Sequence, residues 1–253
     1  MKIGVVGLGL IGGSIFKSLQ GKYELVGVST SVRENNISSD YDTLKSCDLV
    51  FVCTPMSATL DILEKLDTIL PSSAIVTDVC SLKGFVSKKQ YNYKFIPSHP
   101  MAGTENSGWE SSFAGLFEGA KWVITPIDNN IHSEQAVLER IIKELGATPI
   151  IATAEEHDRA VALISHMPMV VAQALCRNIL NEELAQTLAA SGFRDTTRLA
   201  LSNTQMAEDM VNMNSDNIKN AIEILKNSLN ELLADNYSLE AQKIKSFRSE
   251  LYD

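Results

Sequence analysis

The chain has 253 residues, 45 % of them hydrophobic and 21 % charged, a balance that fits one large or two modest globular domains and excludes a disordered or collagen-like chain. Its 22 Lys and Arg stand against 31 Asp and Glu, for a net charge of -9. That field repels nucleic-acid phosphates and anionic lipid, so neither nucleic acid nor a membrane is expected as a partner, and an anionic substrate would need its own arginines.

In chain order, β-branched runs predict strands at Lys2 to Gly7, Tyr23 to Ser29, Leu49 to Thr54, Ala74 to Asp78, Lys94 to Ser98 and Trp122 to Pro126. Most are continuous apolar runs, as in strands buried on both faces, and helical stretches separate them. The polar segment from Ser29 to Asp42 reads as loop. An amphipathic helix is predicted near Ser133 to Leu145, then a last strand at Thr148 to Ala152.

Beyond Thr153 the β signal stops. Thr153 and Glu156 have capping-box spacing and open a long helix through Cys176 to Leu180. The remainder reads as helix, with Ile218, Ile222, Leu225, Leu229 and Leu232 near helical spacing. The predicted fold is therefore an α/β Rossmann domain with a doubly wound, mainly parallel sheet at 1–153, followed by an all-α domain at 154–253. Several C-terminal helices are apolar over more than one face, which fits either an ordinary helical core or helices interleaved between two chains; a homodimer is expected.

Cys47, Cys53, Cys80 and Cys176 lack paired spacing and show neither a disulfide framework nor a zinc pattern, which suits a reducing cytoplasm. The apolar run from Ile3 to Phe16 is broken by five glycines and has no cleavage pattern after it, unlike a signal peptide. No run reaches the roughly 18 uninterrupted apolar residues of a membrane span.

Gly7, Gly9 and Gly12 in GLGLIGG form GxGxxG directly after the first strand. Glycine there permits a tight turn and lets the backbone N–H groups around Leu10 and Ile11 approach a pyrophosphate at a helix N-terminus. The tip of the second strand, Ser29, Thr30, Ser31, Val32 and Arg33, carries no carboxylate. Three hydroxyls and an arginine suit a 2′-phosphate, which favours NADP over NAD; the other reading takes Glu34 as a late acid with Arg33 in solvent.

Of four histidines, His132 opens a helix and is expected in solvent. His99, in SHPMAGTE, follows a predicted strand at the carboxyl edge of the sheet, where a neutral imidazole suits a general base; a structural histidine in a tight turn is the other reading. His157 and His166 are nine residues apart, about 180° around a straight helix, so one of them, His166 in SHMP, is expected at a cleft unless Pro168 kinks the helix. No HExxH or similar ligand spacing appears, and no metal is expected. Ser81 offers a hydroxyl near His99. Arg194 and Arg198, four residues apart in SGFRDTTR, would share one face of a helix and hold a carboxylate, unless they are an ordinary surface pair.

GLGLIGGS, CTPM, TDVCSLK, SHPMAGTE, SHMP and SGFRDTTR occur in that order, and together they resemble the prephenate and arogenate dehydrogenases of tyrosine biosynthesis over nearly the whole chain. The resemblance implies a nucleotide-binding domain, a helical dimerisation domain and a site between them. The implied reaction is an NAD(P)-dependent oxidative decarboxylation of prephenate or arogenate.

His99 would be the base, Ser81 would position the hydroxyl and the nicotinamide, and Arg198 would hold a substrate carboxylate. Glu105 and Arg194 would form an ionic gate, with Thr104, His166 and Gly192 also lining the substrate and Thr54 and Pro55 the cofactor. Met169 stands where some prephenate-using members carry a second histidine, which keeps arogenate open. No fused mutase is expected before the first strand and no regulatory domain after Asp253, so any feedback by tyrosine is expected at the active site. Two other readings are a β-hydroxyacid dehydrogenase-like reductase and a non-catalytic NADP-sensing module. The first relies on a helical-domain lysine, and Thr153 to Gly192 contains none.

Overall fold

The computed structural model describes residues 1–104, 106–127, 131–234 and 236–252. β1 (Lys2–Val6), α1 (Leu10–Leu19), β2 (Glu24–Val28), β3 (Ile37–Ser38), β4 (Leu49–Val52), α2 (Met56–Asp67), β5 (Ile75–Asp78) and β6 (Lys94–Phe95) build the N-terminal layer. The six strands form one parallel sheet in the order β3-β2-β1-β4-β5-β6. This is the Rossmann order, in which ligands bind outside the carboxyl ends of the strands where the order reverses, here between β1 and β4. Ile3, Val5, Leu49, Val50, Phe51, Val52 and Val76 are fully buried, which is why these strands read as unbroken apolar runs.

Two expectations are corrected. The stretch from Ser29 to Asp42 is not all loop, since β3 adds two residues to the sheet edge through Gly27 and Val28. The strand expected over Lys94 to Ser98 is two strands in two sheets. After Ile96 donates to Val76 O, the Ser98 N–H goes to the Asp78 carboxylate at 3.3 Å, and the Pro97 carbonyl accepts from Thr125. The chain thereby leaves the first sheet. β7 (Ser98–Pro100) pairs antiparallel with β8 (Lys121–Ile124), and β8 pairs parallel with β9 (Thr148–Ile151) after α3 (His132–Glu144). Trp122, fully buried, ties the two sheets together: its ring meets Phe51 edge-on and its Nε1 donates to Ser98 Oγ at 2.9 Å.

Thr153 forms the expected capping box with Glu156 and starts α4 (Ala154–Val161). A π-helical segment (Ala162–His166) and α5 (Met167–Asn178) continue it. Pro168 explains the segment. Without an N–H it cannot bond the Ile164 carbonyl, and the Met167 N–H reaches back five residues to Ala162 O. The continuous run Ala154–Asn178 contains an 18-residue window of mean hydropathy 1.4, long and apolar enough to cross a membrane by length and composition. Polar side chains are interspersed along it, so it is not an uninterrupted apolar run.

Short helices α6 (Glu183–Leu188) and α7 (Ser191–Thr196) precede α8 (Thr204–Met213), α9 (Ser215–Leu232) and α10 (Tyr237–Glu250). In the predicted stripe only Ile218 is buried, and Leu229 is 49 % exposed. An apolar seam joins the two halves: Met56, Cys80 and Leu82 pack against Val161, Met169, Ala207 and Met210.

Candidate active site

The glycine turn is built by close contacts. Gly7 has φ +86°, and a Cβ there would lie 2.6 Å from Cys53 O; a Cβ on Gly12 would lie 2.0 Å from Gly7 O. Side chains at either position would push α1 off the turn and the turn off the end of β4, where Thr54 and Pro55 lead into α2. Around Gly9 nothing lies within 4 Å of a Cβ. Gly9 opens α1 with no side-chain cap and no acid in the first turn, so the N–H groups around Leu10 and Ile11 face a cradle suited to a pyrophosphate.

The loop after β2 is more self-contained than expected. Ser29 Oγ accepts from the Ser31 and Val32 N–H groups at 3.2 and 3.1 Å, and the Arg33 guanidinium folds back onto Val32 O and Thr30 O at 2.9 and 3.0 Å. Thr30 and Ser31 are exposed. Ser29 is thus a turn residue rather than a free hydroxyl, and Arg33, though exposed, is folded onto backbone carbonyls and has no acidic partner among the described residues.

His99 lies within β7, not after a strand, and its Nδ1 is 2.9 Å from His157 Nε2 on α4. His157 Nδ1 is 2.8 Å from Asp158 Oδ1. The Asp158 carboxylate in turn accepts from the Lys83 and Gly84 amides, each at 2.8 Å. The absence of a side chain at Gly84 allows this approach, since a Cβ would sit 2.8 Å from Asp158 Oδ2. Burial works to raise the Asp158 carboxyl, but the bonds from His157 and the two amides outweigh it and hold it below the usual range. Burial, then the neighbouring His157, Lys83 and His166, push His99 well below the ordinary imidazole range. His99 is therefore neutral at pH 7.

Beneath this row, the fully buried Lys83 amino group donates to Asp78 and to Ser98 O, the latter at 2.7 Å. The pair clamps β5 to β7, the strand that carries His99. Ser81, half-buried in the same loop, points its hydroxyl at Met56 Sδ, 3.4 Å away.

His157 is the residue that sequence reasoning missed. The π segment offsets the helix by about one residue, roughly 100°, so positions nine apart no longer oppose each other, and both histidines turn inward. They are 3 % and 1 % exposed. Both histidines were expected at one cleft only if Pro168 disturbed the helix, with His166 the favoured one otherwise, and the disturbance is present: His157 contacts His99, and His166 Nδ1 bonds Asn214 at 3.1 Å while its Nε2 is buried without a partner among the described residues. The available signals were Pro168 and the adjacent acid, Asp158. Lys83 carried no local signal beyond its place at the end of TDVCSLK, and Gly84, the next residue, carried none.

Burial pushes His166 down to about 4, with nearby Asp158 working against it. An unfolded histidine takes its proton near 6.5, so between about 6.5 and 4 the unfolded chain binds the extra proton and stability is lost as pH falls. The full gap corresponds to about 3 kcal/mol. Urea unfolding between pH 7 and 4.5 should show this decline, to which His99 adds in the same direction, and His166→Gln should make it shallower; an unchanged slope would dissociate His166 from the effect.

The other substrate-side residues are scattered. Thr104 is exposed, its Oγ1 accepting from Asn106 N at 3.2 Å, and Glu105 lies outside the described residues. Arg194 is 78 % exposed and 3.4 Å from Asp195; Gly192 is exposed. Arg194 and Arg198 do not share a helical face, because α7 ends at Thr196 and Arg198 opens a 3-10 turn. Met169 is buried in the apolar seam, so it offers the cleft no polar group.

Residues 23–170 match the family model described as "Prephenate dehydrogenase, nucleotide-binding domain", more than half of the chain, and residues 153–250 match "Prephenate dehydrogenase, dimerization domain". The chain belongs to the prephenate dehydrogenase family. It is similar to the prephenate dehydrogenase of Lactococcus lactis subsp. cremoris, 31 % identical over 98 % of this chain and 75 % of the relative's length.

Among solved structures it resembles Synechocystis arogenate dehydrogenase at 33 % identity and a TM-score of 0.81, over 99 % of this chain and 96 % of that one. It also resembles prephenate dehydrogenase from A. aeolicus, solved with hydroxyphenyl propionate and NAD+, at 28 % identity and a TM-score of 0.88, over 100 % and 98 %. As a member of this family the protein is a dehydrogenase. The nucleotide-binding match opens at Tyr23, after the glycine turn, whose geometry fits the same role independently.

Proposed function

We propose that the protein catalyses the NAD(P)-dependent oxidative decarboxylation of prephenate to 4-hydroxyphenylpyruvate or of arogenate to tyrosine, in tyrosine biosynthesis. Above all, the reading is supported by a neutral imidazole, His99, beside the carboxyl edge of a sheet whose first turn is open to a pyrophosphate. Gly7, Gly9, Leu10, Ile11 and Gly12 would hold the pyrophosphate, with Thr54 and Pro55 beside them. The bound nicotinamide supplies the acceptor for hydride from the ring carbon bearing the hydroxyl.

His99 takes the proton of that hydroxyl, which drives the oxygen toward a carbonyl and helps the hydride leave. The bond to the ring carboxylate then breaks, carbon dioxide departs and its electron pair completes the aromatic ring. Ser81 orients the hydroxyl. Arg198 holds a substrate carboxylate, with Arg194 and Glu105 at the mouth and Thr104, His166 and Gly192 along the wall. The Met for His change at position 169 keeps arogenate beside prephenate, since the two differ by an amino group in place of a keto oxygen.

NADP is favoured over NAD, because Thr30, Ser31 and Arg33 surround the end of β2 without a carboxylate. A cytoplasmic homodimer is part of the same reading. Residues 154–253 form its interface and 1–153 bind the nucleotide, which would cover Leu180, Leu184, Leu188 and Leu201, all more than 60 % exposed in the single chain. Neither nucleic acid nor a membrane is required.

Initial rates at 340 nm, with prephenate or arogenate against NAD or NADP, test the assignment. Turnover with one of the two substrates and faster rates with NADP are expected. Faster rates with NAD would overturn the cofactor preference, and no turnover in any combination would leave a non-catalytic NADP-sensing module as the better account.

A further inference from the structure

The hydrogen bonds behind His99 fix where its proton sits. The Lys83 and Gly84 amides can only donate, so both oxygens of Asp158 are acceptors, as in a carboxylate. His157 Nδ1, 2.8 Å from Asp158 Oδ1, therefore carries a proton. A second proton on His157 would have to sit at Nε2, against the His99 ring and in a residue only 3 % exposed; with the single proton on Nδ1, Nε2 is a lone pair and His99 Nδ1, 2.9 Å away, is the donor of the bond between the rings. A neutral His99 with its proton on Nδ1 keeps its lone pair on Nε2.

We infer that His157 and Asp158 are positioning residues that lock His99 in the Nδ1–H tautomer, so that Nε2 is the atom that receives the substrate hydroxyl proton. The inference rests on the reading of His99 as the base. Neither partner touches the reacting atoms.

When Nε2 takes the proton, Nδ1–H still donates to His157, and the Asp158 carboxylate at the far end of the row offsets the new positive charge. The proton need travel no further. The same division of labour, an aspartate fixing a histidine tautomer, operates in serine-protease triads; here a second imidazole stands between carboxylate and base. The remaining ionisable groups facing His99 are His166, from the π segment, and Lys83, whose charge is countered by Asp78. The sequence spacing also serves the row. His157 and Asp158 are adjacent near the start of α4, so one helix supplies both links, while the two amides that receive Asp158 belong to the loop leaving β5. The row thus closes only when the helical half is docked on the nucleotide-binding half.

Two-bond 1H–15N spectra of the full-length protein labelled in histidine read the tautomers without substrate. At pH 7 His99 is expected as Nδ1–H with a bare Nε2; a proton on Nε2 would overturn the inference. Asp158→Ala removes the acceptor that holds the His157 proton on Nδ1. It is expected to spread the His99 proton over Nδ1 and Nε2 and to lower kcat at least tenfold with KM within about threefold, while cooperative thermal unfolding persists. An unchanged tautomer or a near-normal kcat would refute the idea.

His157→Gln, whose side-chain carbonyl can accept from His99 Nδ1, should retain more than tenfold the kcat of His157→Leu. Equal loss in the two would reduce His157 to a packing role and overturn the inference. Because the spectra need no turnover, an Nδ1–H His99 in a protein inactive on both substrates would sink the proposed reaction and leave the hydrogen-bond row intact. Turnover with His99 protonated on Nε2 would sink the row alone.

Discussion

His99→Asn is expected to lower kcat by about 10²- to 10⁴-fold, the range lost with a general base, and to leave nucleotide affinity within about twofold. Asparagine is close to imidazole in reach and polarity and can still bond His157, so β7 should stay in place; what it lacks is a basic lone pair. His99 is well suited to the loss being read cleanly. Its charged form is disfavoured by burial and by neighbouring His157 and Lys83, so the wild-type imidazole is neutral and ready to accept a proton over the whole neutral pH range. Initial rates at saturating substrate and fluorescence titration with NADP separate the two quantities. A variant that keeps kcat within fivefold would remove His99 from the base role.

Arg198→Ala is expected to raise KM for the substrate by about ten- to a hundredfold with kcat changed less than threefold, if the guanidinium binds ground state and transition state alike. The backbone around it is anchored: Thr197 is buried and the partly buried Leu199 packs on the apolar seam. The Arg198 side chain itself is exposed and has no ion pair among the described residues, so the substitution removes a free cation rather than a structural contact. Lysine keeps the charge but loses the planar fork, and Arg198→Lys should fall between the two. An unchanged KM in Arg198→Ala would end its role in holding the carboxylate.

What could be read from the chain divides by the range of the interactions involved. The first βαβ unit, the glycine turn and the helical second half are local matters. An unbroken apolar run, a glycine at a positive φ and a Thr–Glu cap each act within a few residues, so the sequence by itself determined the Rossmann layer, the opening of α4 and the position of His99 near the sheet edge. Motif order alone also carried the family resemblance, because SHPMAGTE and SGFRDTTR need no geometry to be recognised.

The tertiary structure decided the rest. The strand expected over Lys94 to Ser98 divides because Asp78, twenty residues earlier, takes the Ser98 amide, and no local pattern announces a side chain that intercepts a ladder bond. Pro168 was visible as a disturbance, but only the backbone shows that it produces a π turn and swings His157 onto His99. Ser29 proved to be spent on its own turn, and Met169 to belong to the seam, since burial is a property of the assembled chain. The row Asp158–His157–His99 needs groups far apart in sequence to meet within hydrogen-bond distance. Periodicity and composition record what each segment prefers alone, whereas donor and acceptor pairing across segments exists only once the two halves have packed.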